Sequence, residues 1–167
     1  MDERLREEFL RSARARFAEL KALGDKALER MDEGDLRFTP DPESNSVAVI
    51  VQHVAGNMIS RWTDFLTTDG EKPDRNRDAE FVPGGEPTRE KVRAHWEKGW
   101  ARLFETINAL TPADLDRRVS IRGQPLSVLD AIQRQLIHYG EHVGQILYIA
   151  KHRKWRTWES LSVPKKR

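Results

Sequence analysis

His138 and His142 stand four residues apart in IHYGEHVGQILYIAK, and His53 stands in VAVIVQHVAGN. On an α-helix, positions i and i+4 lie roughly 40° apart on one face. Two imidazoles so placed can converge on one cation, and His53, on a second apolar helical segment, can supply a third nitrogen. Three histidines leave coordination positions open, which chemistry at a metal requires. The chain has five histidines and no cysteine. Thiolate ligands, disulfides and a cysteine nucleophile are therefore excluded, and any metal rests on His, Asp or Glu. His95 reads as a surface or packing residue. His152 belongs to a basic helix end, where a cation suits the helix dipole.

The elements that must position these residues follow from hydrophobic periodicity. Residues 2–31 predict one helix, with Leu5, Phe9, Ala13, Phe17, Leu20 and Ala27 at helical spacing. Gly34 and FTPDPES end it. A second helix is expected from about Ser46 to Thr67, with Gly70 as its C-terminal stop. A third covers about 88–110. Thr111-Pro112 starts a short extra turn. RVSIRGQPLSV holds two very short strands around Gly123, or only a turn. The fourth long helix runs from Ser127 to about His152. Four long helices imply an all-α, up-down four-helix bundle, in which metal sites form between facing helices.

Helical arithmetic extends the site. On the second helix Ser46, His53, Asn57, Ser60 and Asp64 fall on one stripe, opposite Val51, Ala55, Met58 and Trp62. On the fourth, Gln135, His138, His142 and Gln145 share a stripe. Two polar stripes on otherwise apolar helices argue for a shared polar cavity, because buried polar groups need partners. Asn57 and Gln145 are candidates to orient a metal-bound water or a substrate. Asp64 is a candidate general base, nearly in line with His53, and Glu141 is a less well aligned one. Gly140 and Gly144, on the opposite side of the fourth helix, suggest close approach by another helix, internal or from a second subunit. The tryptophans are expected in the core, except Trp155 and Trp158.

Residues 68–87 form a polar segment dense in charge, TDGEKPDRNRDAEFVPGGEP. Such a run is usually a solvated loop, but a loop this long in a compact domain often has a function. Following the helix that carries His53, it can fold over the cavity mouth. Arg75 and Arg77 are then candidates to hold a carboxylate or phosphate of the substrate.

Bulk properties set the frame. The 167 residues suit one domain, 1–167, with a basic C-terminal tail from about 153. Basic and acidic residues, 29 and 27, nearly cancel to a net charge of +2. KHRKWR and PKKR read as a solvated helix end rather than a nucleic-acid surface. No apolar run reaches the roughly 20 residues of a membrane span, and MDERLREEFLR has no apolar secretory core. A cytoplasmic protein is expected, with no nucleic-acid or membrane partner.

HVAGN, SRWTDFLTTDGEK, RNRDAEF and HYGEHVGQILYIAK resemble the DinB superfamily, also described as YfiT-like metal-dependent hydrolases, and within it a bacterial branch of unknown function. The resemblance covers nearly the whole chain. DGEK and RNRDAEF are particular to the branch, while the histidine triad is common to the superfamily. Asp74 departs from the pattern, which carries an aromatic residue there. The resemblance implies a homodimeric four-helix bundle in which His53, His138 and His142 hold a divalent metal, zinc or nickel. It further implies a thiol-dependent S-transferase that uses a low-molecular-weight thiol on small electrophiles. The alternatives are a hydrolase using a metal-bound hydroxide and a non-catalytic, stress-associated metal-binding protein.

Overall fold

The computed structural model describes residues 2–82 and 85–161. The PKKR end of the basic tail lies outside them. The described chain is an all-α helical bundle with one small hairpin. Four long helices build it: α1 (Glu3–Glu29), α3 (Val47–Trp62), α4 (Arg89–Ala109) and α5 (Val128–Arg153). A five-residue α2 (Glu33–Arg37) follows α1. Strands β1 (Arg118–Ile121) and β2 (Gln124–Ser127) pair antiparallel, Val119 opposite Leu126.

The helix starts follow from capping. Asp2, Ser46, Thr88 and Ser127 each accept a backbone N–H with the side chain at the entry to α1, α3, α4 and α5. Apolar faces then meet in one core that includes Phe17, Met58, Trp62, Trp100 and Tyr139. Helices α3 and α4 pack tightly: a Cβ on Gly99 would stand 2.9 Å from the Ala55 Cα. Trp62, Trp96 and Trp100 are buried and Trp155 is exposed. Trp158 packs partly against the core, under the Arg30 guanidinium.

Several expected boundaries shift. The helix carrying His53 stops at Trp62 rather than Thr67, because Asp64 takes a left-handed φ of 46°. Its carbonyl then accepts from the Thr67 and Thr68 amides in a tight turn. Gly70 is thus no helix stop. It lies under the hairpin, donating its N–H to the Ser120 carbonyl at 2.7 Å. Gly34, expected to end α1, sits inside α2, which Asp32 and Asp35 start with a reciprocal capping box. The helix end at 153–154 is not simply solvated: Arg153 bonds Asp35 at 2.9 Å and Lys154 bonds Asp32 at 2.8 Å. Gly140 and Gly144 have no neighbour within 4 Å of a built Cβ, so no described part of this chain closes on that side of α5.

Candidate metal centre

Helix α3 presents His53, and α5 presents His138 and His142 one turn apart. Their Nε2 atoms converge. His138 Nε2 lies 3.3 Å from His53 Nε2 and 3.2 Å from His142 Nε2. Nitrogens bound at about 2.0–2.1 Å in a tetrahedral arrangement stand about 3.3 Å apart, so the spacing fits one small cation. Among the described residues these three are the cluster able to hold a metal.

The outward nitrogens explain which atoms face inward. His53 Nδ1 donates to Glu80 Oε2 at 2.8 Å, and His142 Nδ1 stands 2.9 Å from Gln145 Oε1. A proton held on Nδ1 leaves Nε2 as a lone pair. Lone pairs aimed at one point repel one another unless a cation or proton lies between them. The chemistry of the donor set therefore fits a metal. Burial above all, then the neighbouring His142 and His53 and the charges of Arg61 and Arg75, pushes the His138 pKa down to about 3. Burial also lowers that of His142. Both side chains are thus neutral, as ligation requires.

Glu80 arrives from the charged loop. Gln52 of α3 donates through Nε2 to the carbonyls of Ala79, Glu80 and Val82 at 3.1, 3.1 and 3.2 Å. These bonds tie the short 3-10 turn Asp78–Phe81 onto the helix. The Phe81 ring packs on His53 at 4.6 Å. Arg75 grips Glu80 with two bonds of 2.7 Å. Burial raises the Glu80 pKa, but the bonds from His53 and Arg75 outweigh it and hold the carboxyl below its ordinary value. His53, Glu80 and Arg75 thus form one relay of charge-assisted bonds. Sequence reasoning did not single out Glu80.

The other expected site residues divide. Asn57 is buried on the cavity wall beside His53, and its Oδ1 accepts from the Tyr139 hydroxyl at 3.0 Å. Tyr139 in turn accepts from Trp62 Nε1 at 3.1 Å. Gln145, expected to orient a metal-bound water or substrate, is occupied with His142. Asp64 does not join the site: it lies past the end of α3, exposed, because the helix that would have carried it inward has stopped. Arg75 lines the cavity, but Glu80 and Glu71 use all three of its guanidinium nitrogens, so its expected grip on substrate becomes a grip on the loop. Arg77 also lines the cavity and is half exposed.

That cavity, of about 310 Å³, opens beside His53 and His138. It is also lined by Gln135, expected on the polar stripe of α5, and by Arg61, Arg122 and Arg134, which sequence reasoning did not single out. Arg61 was legible in principle, since 53, 57 and 61 continue one stripe at i+4 steps. Among the described residues, the one apolar side chain in the lining is Ile137, and the one carboxylate is Glu141.

No helix is long and apolar enough to cross a membrane among the described residues. Curated proteins give no match to the chain. A family model described as a protein of unknown function, DUF1572, matches residues 4–167, essentially the whole sequence. The chain belongs to the DUF1572 family.

Proposed function

We propose that this protein is a divalent-metal-dependent enzyme of the DinB superfamily, with zinc or nickel held by His53, His138 and His142. We further propose that it transfers a low-molecular-weight thiol to a small electrophile. The observation that carries the metal reading is the convergence of three imidazole nitrogens, His138 Nε2 standing 3.3 Å from that of His53 and 3.2 Å from that of His142 and all three residues offering ligand atoms within 4.8 Å of one another, with the Nδ1 atoms of His53 and His142 engaged from outside. The thiol part rests on the resemblance of HYGEHVGQILYIAK and the loop motifs to that superfamily.

When bound, such an ion lowers the pKa of a coordinated thiol or water. The chain's own residues do the rest. Glu80, braced by Arg75, holds the proton of His53 on Nδ1, and Gln145 does the same for His142. Tyr139 fixes Asn57, which presents its amide beside His53 to orient the reacting group. Arg77 at the rim can hold a substrate carboxylate. The chain has no cysteine, so the sulfur comes from the second molecule.

Hydrolysis is a second reading, favoured by Glu141. It lines the cavity and pairs with no arginine among the described residues, so it can take a proton from water. The test supplies metal-reconstituted protein with a panel of small thiols and a chromogenic electrophile. Turnover that needs both metal and thiol, and is lost in His138→Ala, is expected. Product release with metal but no thiol would transfer the assignment to hydrolysis. Metal binding with neither activity across the panel would leave a metal-binding protein without catalysis.

A further inference from the structure

Arginine dominates the cavity beside the metal centre. Arg61, Arg75, Arg77, Arg122 and Arg134 line it. Against them stand Glu71, Glu80, Glu141 and Asp78, the last paired with Arg77 at 3.5 Å, which leaves an excess of one positive charge before any cation binds. Glu71 alone serves three of the five: it accepts from Arg61 at 3.0 Å, Arg75 at 3.1 Å and Arg122 at 3.1 Å.

Arg61 is the telling residue. It is 4% exposed, yet its Nε and Nη1 are buried without a partner among the described residues. Leaving charged donors dry and unmatched is costly, and such a cost in a cavity wall points to a ligand that offsets it. Gln135, 3% exposed, likewise lines the cavity with Oε1 unpartnered. Arg134, one helical turn before His138, is exposed and takes part in no described ion pair. Arg122 is fixed at the hairpin tip, where its backbone N–H and that of Gly123 both donate to Asp69. Three elements, α3, the hairpin and α5, thus each contribute an arginine to the wall of one cavity beside His138.

We propose that Arg61, Arg122 and Arg134 form an oxyanion subsite that binds a carboxylate or phosphate group of the small molecule on which the metal centre acts. The proposal deepens the reading of His53, His138 and His142 as a metal centre and rests on it for the role of the ligand, but the subsite itself is built from groups that need no metal. Guanidinium forks match planar carboxylates and phosphates through paired N–H bonds. A polar lining with a single aliphatic residue disfavours an apolar substrate. The substrate class is therefore a small hydrophilic anion.

The test is calorimetric titration of metal-free and zinc-loaded protein, at low salt, with inorganic phosphate and with succinate. Saturable binding of at least one is expected in the metal-free protein, and the tighter of the two identifies the preferred oxyanion. Arg134→Ala and Arg61→Lys should each weaken it about tenfold or more, the scale of one lost charge-assisted bond. Zinc stoichiometry in Arg134→Ala should stay as in wild type. Arg134 is exposed, so that variant keeps the test valid if Arg61→Lys does not fold. Arg102→Ala, which removes an arginine on another face, should change nothing; an equal loss there would reduce the effect to diffuse charge and overturn the subsite. Failure of both anions to bind, or binding indifferent to both subsite variants, would also overturn it. His138→Ala separates the two readings: lost zinc with retained anion binding keeps both, whereas retained zinc refutes the metal centre alone.

Discussion

Glu80 reaches His53 only because residue 56 has no side chain. A Cβ on Gly56 would stand 2.3 Å from Glu80 Oε1. Glycine inside a helix ordinarily costs about 1 kcal/mol relative to alanine, so its presence in α3 has a reason in packing. The atoms in the way belong to a buried carboxylate that Arg75 and His53 hold in place. Gly56→Ala should therefore take Glu80 off His53 and lower thermal stability through the loss of those buried bonds. Zinc affinity should fall about 10–100-fold, as for other lost partners of a ligating histidine, and Glu80→Gln should fall alike. Competition with a chromophoric chelator measures both; unchanged affinity in the two variants would refute the relay. The three clustered histidines were legible because i,i+4 spacing and apolar helices place them. Glu80 was not, because it sits among Asp74, Arg75, Arg77 and Asp78 in a segment with no period to single it out.

At the scale of elements, Asp69 joins the loop after α3 to the hairpin. Its carboxylate accepts from the Ser120 hydroxyl at 2.5 Å and from the amides of Glu71, Arg122 and Gly123 at 2.7, 2.9 and 2.9 Å. Burial pushes its pKa up, but these bonds win and hold it well below the ordinary 3.8. A carboxyl depressed in the folded state adds stability that is complete above its unfolded value and is lost as pH falls below it. Asp69→Asn should thus cost about 2 kcal/mol at neutral pH, and the deficit should shrink by about pH 2.5, where the carboxylate of the unfolded wild-type chain takes up a proton while the folded one stays ionised. Chemical denaturation at the two pH values checks this; a deficit independent of pH would assign the clamp to shape rather than charge. The long helices were legible from apolar period and caps. The end of α3 was not: Phe65 and Leu66 prolong the apolar pattern, and only the left-handed turn at Asp64 reveals the stop. Helix α2, five residues long, is too short to show a period.

Over the whole molecule, a net charge of +2 conceals five arginines gathered on one cavity. Composition averages over the surface, whereas clustering depends on which loop returns to which helix. The bundle follows from the amphipathic segments, and the histidines from facing polar stripes. The arginine wall needs α3, the charged loop, the hairpin and α5 together, and no local pattern predicts that assembly. A ligand that binds only the folded chain stabilises it, by about 2.7 kcal/mol at a hundredfold excess over its dissociation constant. For a chain of this size that is a rise in Tm of roughly 5–10 °C. The most direct measurement is elemental analysis of untagged protein, as purified and after reconstitution with zinc or nickel, beside His138→Ala and His142→Ala. The account predicts about one metal ion per chain in the wild type, lost in both variants, with the rise in Tm confined to the wild type. No metal in the wild type, even after reconstitution, would contradict it and return the three histidines to the role of packing residues.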